Sequence, residues 1–348
     1  MHWRIRALAA AGRTIILHYF NYRPNRSASD LEPYCQGIYS YKRKGPLAAI
    51  LSKQPYIVSS RIHPQLVNRL NEDDAPVLLE GLHTTGILPM LTPGRKVLVR
   101  MHNHEADYYQ RLSLTEKKRV KKTYLQMESR RIEQYCRLLP KDLAIACISQ
   151  DDSRLLKEDY GLRSVRTIPP FLPWQQIGTI EGSGDYCLYH GNLEVSENEA
   201  AAAWLATEVF SKIPVKLIIA GRRIGSPLRA IARNIPNLML VDSPAEDELN
   251  GLIRNAHINV LPSHNRTGVK LKLLHAAFEG RYCITNGNGL AGMDASPDIL
   301  CCETAAEWID AISMLMTGPF TADQIKNRQQ LLTVYDNMLN AQKISALL

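Results

Sequence analysis

The stretch TGVKLKLLHAAFEGRYCITN, residues 267–286, decides the fold class of this chain. Apolar residues after Gly268 recur at the spacing of an amphipathic helix, and the apolar run at residues 282–285 has the length of a buried strand. The first N–H groups of a helix that begins at Gly268, with Lys270 and Lys272 beside them, favour a bound anion. These residues alone leave two interpretations open: a phosphate-binding turn, or one more helix–strand unit of an α/β domain.

The composition is that of an ordinary globular protein of 348 residues, with 45% hydrophobic and 22% charged residues. No apolar run approaches the roughly 20 residues that cross a bilayer, and the N-terminus has no signal-peptide pattern. The seven cysteines form no C-x-x-C pair, so the sequence indicates neither a zinc site nor a disulfide framework. We therefore expect a cytoplasmic protein, where thiols stay reduced, with length enough for two domains.

Charge is unevenly distributed along the chain. Residues 1–173 carry 28 Lys and Arg against 16 Asp and Glu, a net charge of +12, whereas residues 174–348 carry 14 against 18, a net charge of −4. The asymmetry predicts two domains with different partners, and the basic first half favours an anionic surface or a polyanionic substrate.

The second half alternates short apolar runs with helical patterns. Predicted strands cover residues 186–190, 215–220, 238–241, 258–262 and 282–285, and predicted helices cover residues 197–210, 227–234 and 246–256. This order is typical of a parallel sheet with helices on both faces. Ligands of such sheets bind beyond the carboxyl ends of the strands. Those ends carry Gly191 and Asn192, then Arg222, then residues 263–268.

The first half alternates less regularly. Strands are predicted at residues 14–20, 77–79, 96–100 and 144–148, and a long helix at residues 114–139 with a capping box of Ser113 and Glu116. The apolar stripe predicted for that helix is Val120, Tyr124, Met127, Tyr135 and Leu138. A helix at residues 3–10 opens the chain with no strand before it. Either the sequence is truncated or the sheet tolerates a missing central strand.

Two histidines follow predicted strands of the first half. His102, with Asn103 and Glu105, comes after the strand at 96–100, and His83 comes after the strand at 77–79. Histidine at such a position can hydrogen-bond sugar hydroxyls or move a proton. The alternative is a structural histidine beside a helix N-terminus, where Glu105 serves the helix dipole.

Two sets of basic residues have two interpretations each. Arg222 and Arg223 either clasp a diphosphate through charge-assisted hydrogen bonds or serve surface solubility. The basic residues of the long helix either dock on anionic lipid or form a solvated face. That second set comprises Lys117, Lys118, Lys121, Lys122, Arg130 and Arg131. A nucleic-acid partner is not expected, because aromatic residues are not interleaved with the basic ones.

At this point the sequence resembles the GT-B glycosyltransferases of the large retaining bacterial family, glycosyltransferase family 4 or group 1 type. The segments that carry the resemblance are RMHNHEADYY (100–109), IPPFLPW (168–174), YHGNLEVSENEAA (189–201), IIAGRR (218–223), LIRNAHINVLPS (252–263) and the opening stretch. The resemblance implies two Rossmann-like domains facing a cleft, with the first strand of the N-terminal domain missing. It also implies a nucleoside-diphosphate sugar as donor, with no metal and no other cofactor.

The resemblance assigns roles to individual residues. The N-domain histidine that contacts the transferred sugar corresponds to His102. The helix-start amides that hold the diphosphate correspond to Gly268, Val269, Lys270, Leu271 and Lys272. The sequence departs from the family pattern where the family has E-x7-E, at Thr267 and His275, and where it has Arg and Lys, at Asn192 and Asn198. Lys270, Lys272 and Arg222 are the candidates to replace the lost cations, and the ribose contact is left open.

We therefore expect three parts: an acceptor-binding domain at residues 1–170, a nucleotide-sugar-binding domain at 171–330, and a C-terminal helix at 331–348 that packs back on the first domain. The expected function is transfer of a hexose from a nucleoside-diphosphate sugar to a surface glycan or lipid-linked acceptor, with retention, at the inner face of the membrane. The alternative is a non-catalytic GT-B module that binds a nucleotide sugar or glycan, or a truncated inactive transferase.

Overall fold

The computed structural model describes residues 1–21, 28–45, 54–116, 118–293 and 298–348. Lys117, which belongs to the predicted basic set, lies outside these ranges. The strands, in chain order, are β1 (Ile16–Asn21), β2 (Gly37–Lys42), β3 (Val77–Glu80), β4 (Val97–Met101), β5 (Ala144–Cys147), β6 (Val165–Thr167), β7 (Tyr186–Asn192), β8 (Lys216–Arg222), β9 (Leu238–Asp242), β10 (Ile258–Val260), β11 (Tyr282–Thr285) and β12 (Ile299–Cys301).

The α-helices are α1 (His2–Ala10), α2 (Tyr56–Ser59), α3 (Pro64–Leu70), α4 (Glu105–Thr115), α5 (Arg119–Arg137), α6 (Gln150–Tyr160), α7 (Ser196–Trp204), α8 (Ser226–Ala232), α9 (Glu246–Asn255), α10 (Leu271–Glu279), α11 (Gly287–Leu290), α12 (Ala305–Leu315), α13 (Ala322–Asn327), α14 (Gln329–Val334) and α15 (Asn337–Leu347). Two 3₁₀ segments cover Ser29–Tyr34 and Leu82–Met90, and a π-helical segment, Leu205–Phe210, extends α7.

The chain folds into two compact units. The N-terminal unit comprises Met1–Ser113, Val120–Pro173 and Tyr335–Leu348, and the C-terminal unit comprises Leu114–Arg119 and Trp174–Val334. The main crossing from one unit to the other follows Pro173, within the proline-rich segment 168–174. Helix α15 belongs to the N-terminal unit, where its Ala341 and Ile344 pack in one cluster with Ala7 and Leu8 of α1.

The C-terminal unit is built on a six-stranded parallel sheet in the order β12-β11-β10-β7-β8-β9. All five strands predicted for this half are present, with ends shifted by at most two residues, and β12 was missed. β10 and β11 are buried along their whole length, because neighbouring strands and helices cover both faces of these apolar segments. The prediction of a doubly wound α/β unit is confirmed.

The N-terminal unit contains a four-stranded parallel sheet in the order β3-β4-β5-β6. Successive side chains of a strand point to opposite faces, so each strand contributes to two separate cores. Leu98 and Ala146 pack with α1 and α15 on one face. Val99 and Ile145 pack with Ile132 of α5 on the other face.

The strand predicted at residues 14–20 does not join this sheet. It is β1, which pairs in parallel with β2 in a separate two-stranded sheet, and β2 was not predicted. Leu17 of β1 packs with Ile5 and Leu31 in a small core of its own. Within the described residues, the strands of the first half therefore form two separate sheets.

The helix predicted at residues 114–139 is two helices, α4 and α5. Ser113 lies in the last turn of α4, where its hydroxyl donates to the Gln110 carbonyl at 2.6 Å, so the predicted capping box is wrong. Of the predicted apolar stripe, Val120, Tyr124, Met127 and Leu138 are exposed, whereas Tyr135 is partly buried against the core. Glu128 lies on the buried face of α5, where its carboxylate accepts the Ile57 amide at 3.0 Å. The apolar stripe is therefore not the face that α5 buries.

Candidate functional site

The carboxyl ends of β7 and β10 meet at the topological switch point of the six-stranded sheet. β7 lies between β8 and β10 in the sheet. The chain continues from β7 to β8 in one direction across the sheet, and from β10 to β11 in the opposite direction, so the connections diverge between β7 and β10. The two polypeptide segments that leave these ends touch, since the Ser263 hydroxyl donates to the Glu197 carboxylate at 3.2 Å. In a parallel sheet this is the position where a ligand binds.

The segment between β10 and α10 forms a tight turn. The Asn265 side-chain oxygen accepts both the amide and the hydroxyl of Thr267, each at 2.9 Å. Gly268 has φ of +65°, a left-handed conformation that glycine adopts without strain. Thr267, at the first of the family's two glutamate positions, therefore holds the turn in shape.

The helix after this turn begins later than predicted. Gly268 does not open α10, which starts at Leu271 with Lys270 as its N-cap. The amides of Leu273 and Leu274 both donate to the Lys270 carbonyl. No described side chain caps this helix start, so its leading N–H groups, at Leu271 and Lys272, have no intrahelical acceptor. The turn therefore leads into an uncapped helix N-terminus, the feature that attracts anions.

Two lysines lie at this helix start. Lys270 donates its ammonium to the Thr267 carbonyl at 2.7 Å. The Lys272 ammonium lies 3.3 Å from both the Tyr189 hydroxyl and the Asn198 amide oxygen, and 4.7 Å from the centre of the Tyr189 ring. Burial lowers the pKa of Lys272 to about 8. Lys272 therefore connects α10 to the end of β7 and remains cationic at neutral pH.

Two neutral histidines adjoin the lysines. His190, in β7, and His275, in α10, have ring centres 5.9 Å apart, and the His275 ring stacks on Trp174 at 4.4 Å. Burial lowers the pKa of His190 to about 3 and that of His275 to about 4. Within the described residues, the buried Nε2 atom of each ring has no hydrogen-bond partner. The sequence analysis missed His190, although it precedes the Gly191 turn directly.

The remaining predicted donor-site residues line the ends of β7 and β8. A Cβ atom on Gly221 would collide with the Gly191 carbonyl, so the two strand ends approach closely. The Asn192 carbonyl accepts the Asn198 side-chain amide at 3.0 Å. Arg222 and its neighbour Arg223 both face Glu194, with nitrogen–oxygen distances of 3.7 and 2.7 Å. Arg222 thus has an acidic partner in Glu194.

The N-terminal unit gathers a second polar cluster at the carboxyl ends of β3 and β4. His102 Nε2 lies 2.8 Å from the carboxylate of Glu80, the last residue of β3. The other oxygen of Glu80 forms an ion pair with the buried Arg4 of α1. Burial, followed by the charges of Arg4 and Arg100, lowers the pKa of His102 to about 3. Glu80 was missed, although its position at the end of a predicted strand was a usable signal.

Two further predicted residues belong to this cluster. Burial lowers the pKa of His83 to about 3, and the charges of Arg61 and His102 contribute to the shift, so the two histidines are near each other. Gly81, at φ of +81°, leaves room for the His83 ring against its backbone. Burial and Asp152 raise the pKa of Glu105 to about 7, against a hydrogen bond from Asn103. The cluster is therefore uncharged at His83 and His102 and near its titration point at Glu105.

Comparison with known proteins shows a family to which the C-terminal cluster is similar. Residues 184–318 match the family described as "Glycosyl transferases group 1". The match includes β7 to β12 and the whole turn from Ser263 to α10. Residues 184–318 are therefore similar to a group 1 glycosyltransferase domain. The prediction made from the sequence motifs is confirmed for this domain.

The group 1 glycosyltransferase domain has relatives that extend over most of this chain. "Uncharacterized 44.6 kDa protein in cps region" of Klebsiella pneumoniae is 25% identical over 307 residues, which cover 83% of this chain and 78% of that protein. The glycosyltransferase from Rickettsia africae ESF-5 superposes with a TM-score of 0.67 at 10% identity, over 99% of this chain and 93% of its own. Anabaena Alr3699/HepE, solved with UDP and glucose, superposes with a TM-score of 0.66 at 12% identity, over 99% and 95%.

At these identities the structural likeness establishes the fold, and the chain has the GT-B fold. The superposition on TarM, with a TM-score of 0.56, covers 81% of this chain and only 57% of TarM, so the chain spans little more than half of that protein. Among the described residues, no helix is both long enough and apolar enough to cross a membrane.

Proposed function

We propose that this chain transfers a hexose from a nucleoside-diphosphate sugar to a surface-glycan or lipid-linked acceptor, with retention of anomeric configuration. The observation that carries the proposal is the uncapped start of α10, flanked by Lys270 and Lys272, at the switch point of the group 1 glycosyltransferase domain. The donor substrate is the only small molecule besides the acceptor that the proposal requires.

The proposed donor site binds the diphosphate through backbone and side-chain donors together. The leading amides of α10 point toward the ligand, and the helix dipole favours its negative charge. Lys272 adds a cation held in place by Tyr189 and Asn198. Donors fixed before the reaction also stabilise the charge that develops on the departing nucleoside diphosphate. The same donors therefore serve binding and departure of the leaving group.

Relatives support the choice of donor and acceptor class. Anabaena Alr3699/HepE was solved with UDP and glucose, which favours a uridine diphosphate hexose. The Klebsiella pneumoniae relative is described as a protein in a cps region, which favours a surface glycan. In the N-terminal unit, His102 is the residue proposed to contact the transferred sugar, with His83, Asn103 and Glu105 beside it for the acceptor.

Calorimetry with UDP and GDP tests the donor site. We expect the wild-type chain to bind one of them, and the Lys270→Ala/Lys272→Ala variant to bind at least about 100-fold more weakly, because charge-assisted hydrogen bonds contribute about 1.5–3 kcal/mol each. Lys216→Ala is the matched control, since Lys216 lies at the amino end of β8 and pairs with Asp185. Unchanged affinity in the double variant would contradict the site.

A non-catalytic GT-B module that binds nucleotide sugars is the second candidate. Thr267 and His275, which stand in place of the family's two carboxylates, favour it. The two candidates differ in product formation. Incubation with UDP-glucose and a lipid-linked glycan should release UDP at a rate that His102→Ala abolishes. UDP binding without any release of UDP, across hexose donors, would favour the module.

The proposal also includes docking on an anionic membrane surface at the inner face of the membrane. We call Val120, Tyr124, Met127 and Leu138 the α5 row; their exposed fractions are 85%, 38%, 45% and 83%. Val120, Tyr124 and Met127 share one face of α5, because residues spaced by four and seven positions align on a helix, and Leu138 directly follows the end of α5 at Arg137. Arg130 and Arg131 lie on or beside this face, and each cation near an anionic bilayer contributes about 1 kcal/mol.

A groove extends the α5 row. Arg131 and Leu138 line an open cavity of about 1310 Å³ together with Leu88, Leu91 and Lys96. Apolar walls with basic residues on the same surface fit acyl chains beneath anionic headgroups. This combination favours docking on a bilayer rather than the alternative, a helix face that is merely solvated.

Liposome co-sedimentation tests the docking surface. Binding should require phosphatidylglycerol, weaken with salt, and fall about tenfold or more in Val120→Ser/Met127→Ser, because the buried apolar area is lost. Met239→Ser/Met314→Ser, which changes two exposed methionines of the C-terminal unit, is the control. Equal binding to neutral vesicles, or no binding to either kind, would contradict this docking surface without affecting the donor site.

A further inference from the structure

Glu80 connects three elements of the N-terminal unit. It ends β3, its carboxylate lies 2.8 Å from His102 Nε2 beyond β4, and its second oxygen pairs with Arg4 of α1. The β3–β4 register places Glu80 opposite Arg100, two residues before His102. Glu80 and Arg100 therefore project from the same face of the sheet, the face that α1 covers, and His102 follows just beyond the end of β4.

The neighbours of Glu80 indicate that its carboxylate accepts the hydrogen bond shared with His102. Arg100 donates instead to the Pro169 carbonyl at 2.8 Å. Arg4 is buried, and its positive charge beside the second oxygen favours the ionised form of the Glu80 carboxyl. An ionised carboxylate only accepts hydrogen bonds, so in the contact with a neutral imidazole the His102 Nε2 atom must carry the proton.

The proton at Nε2 has a consequence for the other ring nitrogen. In a neutral imidazole one nitrogen is a donor and the other an acceptor, so Nδ1 of His102 is the acceptor. The His102 side chain is 39% exposed, whereas that of Glu80 is 20% exposed. The free nitrogen therefore belongs to the more accessible partner of the pair.

We propose that Glu80 is a positioning residue that holds His102 in the Nε2–H tautomer, so that Nδ1 accepts a hydrogen bond from a hydroxyl of the bound sugar or acceptor. The inference rests on the proposed function for the identity of that hydroxyl. Its structural part, the tautomer and its cause, does not. Arg4 is part of the same device, because it fixes the second oxygen of Glu80 and so the direction of the first.

Two variants separate positioning from folding. Glu80→Gln keeps a side-chain oxygen that can accept from His102 and so acts as the conservative variant. Arg4→Met/Glu80→Leu removes both partners of the ion pair. Replacing a buried pair by apolar residues of similar volume is often nearly neutral for stability, so this variant should fold. A fingerprint amide spectrum and a melting curve check the fold of each.

Nitrogen NMR of histidine-labelled full-length chain gives the first readout, with His102→Asn identifying the resonance among the ten histidines. We expect the Nε2–H tautomer alone in the wild type, and a mixture of both tautomers in Arg4→Met/Glu80→Leu. An Nδ1–H tautomer in the wild type, or an unchanged Nε2–H tautomer in the folded double variant, would overturn the inference. Neither result depends on transferase activity.

Kinetics give the second readout once a donor and acceptor pair is found. We expect kcat/KM to fall roughly 10- to 100-fold in the double variant, the range seen when the partner of a functional histidine is lost, and less in Glu80→Gln. UDP affinity should be unchanged, because the donor site lies in the other unit. Wild-type kcat/KM in the double variant would overturn the role of Glu80. Absence of transfer in every variant, with the tautomer shift intact, would instead count against the proposed function.

Discussion

In the C-terminal unit α10 begins without a side-chain cap, and His190 and His275 each bury a ring nitrogen that has no hydrogen-bond partner among the described residues. In the N-terminal unit, by contrast, Glu80 contacts both His102 and Arg4. Both clusters lie at carboxyl ends of parallel strands. The first leaves donors and acceptors for a ligand to satisfy, which suits an anionic substrate. The second is held together by the contacts of Glu80 with His102 and Arg4 and leaves one histidine nitrogen outward, which suits orientation of a hydroxyl.

The largest effect should come from breaking the ion pair within the N-terminal unit. Arg4→Met leaves Glu80 without its counter-ion, and loss of one partner of a buried pair costs about 3–5 kcal/mol. We expect about 3 kcal/mol of lost stability, at the low end, because the Glu80 side chain keeps 20% exposure. Urea unfolding measures it, with Arg6→Met as control. A variant as stable as the wild type would show that this cluster does not hold itself together.

Glu105 should make the N-terminal unit sensitive to pH. Its pKa is raised from 4.5 to about 7 by burial, so the folded chain binds an extra proton between these values. The stabilisation is complete below pH about 4.5 and is lost as the pH rises through 7. Glu105→Gln should therefore match the wild type at pH 4.5 and exceed it by about 1–3 kcal/mol at pH 8. Melting curves of the wild type and Glu105→Gln across this pH range test the prediction, with Glu133→Gln as an exposed control. If the stabilities of the two proteins change with pH in parallel, Glu105 does not titrate as a buried group.

Lys272 should make the affinity of the C-terminal unit for UDP depend on pH. Burial lowers its pKa to about 8, so the cation that binds a diphosphate is lost above that value. We expect the Kd of UDP to rise about fourfold between pH 7 and pH 8.5, a range that stays below the pH at which the uracil ring loses its own proton. Lys272→Gln should bind weakly at both pH values. The same pH dependence in this variant would assign the titration to another group.

The smallest expected effect is on UDP affinity and comes from replacing His275. His275→Phe keeps a ring to stack on Trp174 and removes both nitrogens. If Nε2 of His275 bonds the ribose, UDP should bind roughly 2- to 10-fold more weakly, since one neutral hydrogen bond contributes about 0.5–1.5 kcal/mol. Calorimetry with UDP and its 2′-deoxy analogue measures the loss. Equal affinities for both ligands in both proteins would remove the ribose contact from His275.

Much of the C-terminal unit was predictable from the sequence. Its strands are short apolar runs between helical patterns, and burial on both faces makes this pattern strong. The turn at Thr267 and Gly268 could be located as well, because it follows such a strand directly. The exact start of α10 could not, since the turn's own hydrogen bonds to Asn265 delay the helix to Leu271.

The N-terminal unit was less predictable for two physical reasons. β1 pairs with β2, and the local sequence of either strand does not show which other strand it pairs with. The buried face of α5 carries Glu128, a residue that pattern analysis places in solvent, and its amide partner Ile57 is far away in the chain. The β1–β2 pairing and the Glu128–Ile57 hydrogen bond both join residues that are far apart in the chain, so local patterns do not predict them.

The sequence by itself determined the alternating α/β pattern, the family resemblance and the lysines of the turn after β10, because each depends on residues close together in the chain. Only the tertiary structure decided that Glu80 meets His102 and Arg4, that Lys272 rests on Tyr189 and Asn198, and that the α5 row is exposed. Those contacts join side chains from separate elements, and their energies depend on burial and distance that folding alone sets.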